Sequence, residues 1–122
     1  MKKLPISLFL IAVTLCMNES AFAQKDFPVN DASTAALVSL CKNPDDQAGR
    51  NFCFGFGEGV YQSYLARQNP NKKPAICFPE QGDTREEILQ RFLVWNKANP
   101  QFNQERAAKT LVRFFATSYP CK

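Results

Sequence analysis

Four cysteines in a chain that has no histidine set the narrowest limits on how this sequence can fold: Cys41, Cys53, Cys77 and Cys121. A fifth, Cys16, lies in an N-terminal segment built like a secretory leader. Lys2 and Lys3 precede a mostly apolar run over 4–17, and Ala21-Phe22-Ala23 places small residues at −3 and −1 of a cleavage site. The apolar run is too short, and too soon followed by Asn18 and Glu19, for a permanent anchor. Leu15 stands where a lipobox wants a small residue, which argues against lipid attachment at Cys16. Cleavage after Ala23 removes Cys16 and leaves one domain, 24–122, with an even number of cysteines. In an exported domain of this size, whose core alone stabilises it modestly, that reads as two disulfides, and four cysteines allow three pairings. A zinc site is disfavoured, because there is no CxxC and no histidine.

The densest stretch is 51–61, NFCFGFGEGVY. Phe52, Phe54 and Phe56 alternate with Cys53, Gly55 and Gly57, as in a strand, but Phe52, Phe56, Val60 and Tyr64 recur every four residues, as on one face of a helix. We read it as the start of a central helix continuing through QSYLARQ. Each glycine inside a helix costs about 0.8–1 kcal/mol relative to alanine. Three of them therefore need a reason, such as letting a ring or another backbone lie directly against that face.

The rest of the chain supplies further helices. Asn30, Asp31 and Ser33 are candidate N-caps for a first helix reaching about Lys42, and Asn43-Pro44-Asp45-Asp46 stops it. The second helix runs from about Ala48 to Arg67. A connection over 68–83 carries Pro70, Pro74, Pro79 and Gly82. Thr84-Arg85-Glu86-Glu87 is a capping box, and the helix after it carries Ile88, Phe92 and Trp95 on one face with Leu89 and Leu93 beside them. That helix ends at Asn99-Pro100, because a residue before proline is pushed out of helical geometry. A last helix from about Asn103 to Thr117 turns Ala107, Ala108, Leu111, Val112, Phe114 and Phe115 toward the core. The expected architecture is all-α, a small disulfide-stabilised bundle of four or more helices.

The layout also argues the pairing. Two antiparallel helices joined by a short turn bring Cys41, at the end of the first, close to Cys53, near the start of the second, within the Cα separation of about 5.5–6 Å that a disulfide needs. Cys77 is then left to hold Cys121.

The chemistry the sequence lacks is equally informative. Without histidine, Ser-His and Cys-His catalysis and the common zinc hydrolase sites are excluded. Glu86-Glu87 and Asp45-Asp46 are adjacent carboxylates that point about 100° apart on a helix, so they do not converge on one bond. They read as charge complements to helix N-termini. Gly55, Gly57 and Gly59 follow GxGxG spacing, not the GxGxxG of a dinucleotide-binding turn. Residues 24–122 carry 13 Lys/Arg against 10 Asp/Glu with the signs interspersed, which argues against a nucleic-acid surface. No enzyme and no cofactor is expected, and no membrane association after leader cleavage.

Several pieces in order resemble a known family. A first helix ends in Leu40-Cys41. Phe52-Cys53-Phe54-Gly55-Phe56 and Gly59-Val60 follow, then Ile76-Cys77-Phe78-Pro79 before the Thr84-led helix. The Asn99-Pro100 break and a closing Pro120-Cys121 complete the set. Over about 37–122 the chain resembles the Rap/Tai family of type VI secretion immunity proteins. It departs from that pattern at Phe56-Gly57, where Tyr-Ile is usual, and at Asn99, where histidine is common. The resemblance implies a periplasmic, disulfide-bonded helical protein, often a homodimer. It also implies a partner: a papain-like peptidoglycan amidase delivered by neighbouring cells, inhibited by occlusion of its substrate groove.

A groove is filled best by something convex and preorganised. The connection over 69–83, held by Cys77 and stiffened by prolines, is the candidate contact surface, with Phe78, Glu80 and Gln81 as its contact residues. The plain alternative is that this segment only connects two helices. A second functional class also fits: a small disulfide-bonded periplasmic stress or chaperone-like protein, whose acid trigger, without histidine, must come from carboxylates.

Overall fold

The computed structural model describes residues 31–122. The leader over 1–23, its cleavage site, the segment 24–30 and the candidate cap Asn30 lie outside the described residues. Among the described residues there are four α-helices, α1 Thr34–Cys41, α2 Gln47–Ala66, α3 Arg85–Ala98 and α4 Ala107–Ser118, with a 3-10 turn at Pro100–Phe102 between α3 and α4. The chain is all-α, as its periodicity predicts.

Ser33 caps α1, its hydroxyl accepting from the Ala36 amide at 3.2 Å. The first-turn amides of α1, which a helix cannot satisfy internally, are satisfied by another part of the chain. Thr34 N–H donates to the Glu105 carbonyl at 2.8 Å and Ala35 N–H to that of Asn103 at 3.0 Å, while Ala107 N–H donates back to Ala32 at 2.8 Å. Beneath this staple the Thr34 and Thr110 hydroxyls, both fully buried, are hydrogen-bonded at 2.7 Å. The segment 103–106 is held in this pairing, so the last helix starts at Ala107, later than the expected Asn103.

Asp46 caps α2 by accepting from Gly49 N–H at 3.1 Å. Gly49 is where α2 presses on α1: a Cβ there would come within 2.7 Å of the Leu40 carbonyl oxygen. This contact and the Cys41–Cys53 disulfide, with Cα atoms 5.8 Å apart, hold the two helices together. The glycines farther along α2 behave differently. A Cβ at Gly55, Gly57 or Gly59 would meet nothing within 4 Å, so the expected ring or backbone against that face is absent among the described residues.

At α3 the capping box forms as expected, with Glu87 N–H donating to the Thr84 hydroxyl at 3.2 Å and the Glu87 carboxylate accepting from Thr84 N–H at 2.6 Å. α3 buries Leu89, Phe92 and Asn96, and Ile88, Leu93 and Trp95 flank them half-buried. α4 buries Ala107, Thr110, Leu111, Phe114 and Phe115, the spacing of one helical face. Ala108 is exposed and Thr110 takes the inward place, because the hydroxyl pair with Thr34 sets the rotation of α4. Phe114 is the centre of the core, its ring 5.4 Å from Phe92 and 5.7 Å from Trp95.

Candidate partner-binding site

The connection between α2 and α3 is long and proline-rich, so its backbone amides and carbonyls need partners other than their own neighbours. Tyr64 of α2 supplies the first: its hydroxyl accepts from Ala75 N–H at 2.8 Å and from Ile76 N–H at 3.3 Å. The C-terminal segment supplies the next. Cys77 N–H donates to the Tyr119 carbonyl at 2.9 Å, Ile76 bridges Pro120, and the Cys77–Cys121 disulfide closes the pairing with Cα atoms 4.9 Å apart. Both cysteine pairs are those argued from the helix layout.

Phe78 turns inward. Its half-buried ring lies 4.8 Å from Tyr61, 5.4 Å from Phe115 and 4.4 Å from Tyr119, a nest of edge-on and tilted rings on the core. After it the chain makes a tight turn, in which a Cβ on Gly82 would come within 2.9 Å of the Pro79 carbonyl oxygen. Asp83 then ties down the far end. Its carboxylate accepts from the Tyr119 hydroxyl at 2.8 Å and pairs with Arg91 at 2.7 Å. Burial, reinforced by the Asp83 carboxylate, pushes the Tyr119 phenol from 10.0 up to about 12.

The outcome is a short projection anchored on both sides. Pro79, Glu80, Gln81 and Gly82 are exposed, while Phe78 and Asp83 on either side are held by the body of the molecule. Of the three candidate contact residues, the structure directs Glu80 and Gln81 outward and uses Phe78 as the wedge beneath them. Beside that wedge an apolar pocket of about 130 Å³ reaches between α2 and α3, lined in part by Phe54, Tyr61, Phe78 and Phe92, with the exposed Glu58 and Arg85 also contributing.

The remaining carboxylates near this end already have structural roles. Hydrogen bonds from Arg50 and then Gln90 hold Glu86 below its ordinary 4.5, and the Thr84 amide and hydroxyl do the same for Glu87. Arg50 is almost fully buried and pairs with Glu86 across 36 positions of sequence, with the Phe54 ring 5.8 Å from its guanidinium carbon. No periodicity signals that pair or the Tyr119–Asp83 bond, because in each the two members lie 36 positions apart in sequence. Among the described residues no group of three His, Cys, Asp or Glu side chains could hold a metal ion. No described helix is long and apolar enough to cross a membrane.

The arrangement offers a rigid, disulfide-held projection beside an apolar pocket, suited to binding another macromolecule. No curated protein and no solved structure matches the chain. Residues 33–121, nearly the whole of the described fold and both of its disulfides, match the family described as Rap1a immunity proteins. The chain belongs to the Rap1a immunity protein family.

Proposed function

We propose that this chain is an exported immunity protein that binds a peptidoglycan amidase delivered by type VI secretion and occludes its substrate groove without chemistry of its own. The observation that carries the reading is the projection over 79–82. It is fixed on one side by the Cys77–Cys121 disulfide and the Phe78 ring, and on the other by Asp83 bound to Tyr119 and Arg91. A segment already ordered before it binds loses little conformational freedom on entering a groove, so its contacts convert efficiently into affinity. In this reading Glu80 and Gln81 touch the toxin, and Phe78 holds them in place. Export by the 1–23 leader places the protein in the periplasm, where both disulfides form and peptidoglycan lies. Family resemblance also implies a homodimer, which sedimentation of the mature protein would detect.

Calorimetry of the mature, oxidised protein against papain-like amidases from its own organism tests the proposal. The expected result is one-to-one subunit binding with loss of amidase activity. Glu80→Lys with Gln81→Arg is expected to weaken that binding about tenfold or more while leaving thermal stability unchanged. Absence of binding to every such amidase would sink the toxin reading. Unaltered binding by the double variant would remove the projection from it.

A further inference from the structure

A second concave surface lies away from the 79–82 projection. α2, the start of the connection and α4 enclose an open groove of about 1010 Å³. Its floor is apolar and half-buried, with Phe56, Val60, Tyr64 and Val112 among its lining. Gly55 and Gly59 leave α2 without side chains along the groove, and the space at their Cβ positions is open. Four cations line the groove, Arg67, Lys72, Lys73 and Lys109, and no carboxylate does. Lys109 shares Glu105 with Arg113, at 3.5 and 3.6 Å. Among the described residues Arg67, Lys72 and Lys73 have no carboxylate within ion-pair distance. A chain with nearly balanced charge has therefore set one sign around one groove.

We propose that this groove is a docking site for an extended segment of a protein partner that carries carboxylates around apolar side chains. Apolar groups of such a segment would cover the floor, and its carboxylates would meet the cationic rim. A second copy of this chain fits poorly, because a two-fold contact through the groove would set four cations against four cations. A bilayer is flat and would not enter a concavity. A nucleic acid would find its phosphates matched, but the rings of the floor are half-buried and offer little face for stacking. The proposal goes beyond the toxin reading. Glu80 and Gln81 do not line the groove, so variants there and variants here fail independently.

The probe is a dye-labelled peptide of about ten residues alternating glutamate and leucine, spanning roughly 30–35 Å when extended, its binding to the mature oxidised protein read by fluorescence anisotropy. Binding is expected, and it is expected to weaken as added salt shortens the Debye length from about 30 Å to about 8 Å. Lys72→Glu with Lys73→Glu is expected to lower affinity about tenfold or more, while Lys97→Glu with Lys122→Glu, which has the same net charge, leaves it nearly unchanged. Gly59→Leu, which fills the floor without altering charge, is expected to weaken binding as well. Failure of the wild-type protein to bind the peptide would overturn the proposal. So would equal losses in the two charge-reversal variants, which would mean attraction by net charge alone. Two further results would assign the groove elsewhere and overturn it: phosphatidylglycerol vesicles bound with this variant pattern and the peptide not, or a dimer in sedimentation that Lys72→Glu with Lys73→Glu dissociates.

Discussion

The same residue type in one helix can have opposite energetic meaning, and the glycines of α2 show it. Gly49 stands where a Cβ would lie 2.7 Å from the Leu40 carbonyl, a backbone atom that cannot move away cheaply. Gly49→Ala is expected to destabilise the fold by about 1–3 kcal/mol through overpacking. Gly55 and Gly59 have open space at the same position, so Gly55→Ala or Gly59→Ala should stabilise it by about 0.4–1 kcal/mol by restricting the unfolded chain. Urea denaturation of the three variants decides the contrast. Tyr119 supplies a second expectation. Its phenol is raised in the folded state above its ordinary 10.0, so folding favours the protonated form. The stability this provides is fully present below pH 10 and is lost as pH rises toward about 12. A tyrosinate absorbance titration should show a step near 12 that disappears in Tyr119→Phe.

Among the helices, the signals that lie within a few residues were readable before any tertiary contact was known. The Thr84 and Glu87 capping box, the Pro100 break and the Asn43-Pro44-Asp45-Asp46 turn that follows α1 all depend on neighbours along the chain, and each forms where expected. Thr84→Ala should cost about 1 kcal/mol, measurable by thermal melting, because it returns an α3 amide to solvent without its hydroxyl acceptor. The start of α4 was not readable in this way. Residues 103–106 could continue a helix on local grounds, but the α1 amides take the carbonyls of Asn103 and Glu105 as acceptors. A contact spanning some seventy positions thereby overrides local helix preference. The Thr34–Thr110 hydroxyl pair then rotates α4 so that Thr110 points inward and Ala108 outward, against their hydrophobic ranking.

Across the whole molecule, the two disulfides divide the work. Cys41–Cys53 fastens α1 to α2 inside the core, where both residues are nearly inaccessible. Cys77–Cys121 fastens the connection to the C-terminal end, and Cys77 is exposed. Mild reductant should therefore open Cys77–Cys121 first, seen as a single pair of alkylated cysteines by mass spectrometry. Its loss should also weaken partner binding, because the projection over 79–82 then keeps only the Phe78 nest and the Asp83 ties. The Cys77–Cys121 bridge closes the longer loop, 44 residues against 12, so Cys77→Ala with Cys121→Ala removes a constraint worth about 4 kcal/mol in the chain-entropy model, against about 3 for the other pair.

The helices apart from the start of α4, the all-α class, both cysteine pairings and the family were legible in the order of the residues. Caps, proline breaks, helical periodicity and short turns act between near neighbours, and the turn between the first two helices left Cys77 only Cys121 as a partner. The candidate site was half legible: the connection could be marked as a stiff loop, but not the direction of each side chain within it. Phe78 turns inward because Tyr61, Phe115 and Tyr119 converge on it from two helices and the C-terminal segment. Asp83 anchors the loop because Tyr119, 36 positions away, is folded back against it. The cationic groove exists only because α4 lies beside the bare face of α2 with Lys72 and Lys73 at its edge. Such features are sums over residues distant in sequence, and their geometry is settled only when the packing of the core brings those residues to one place.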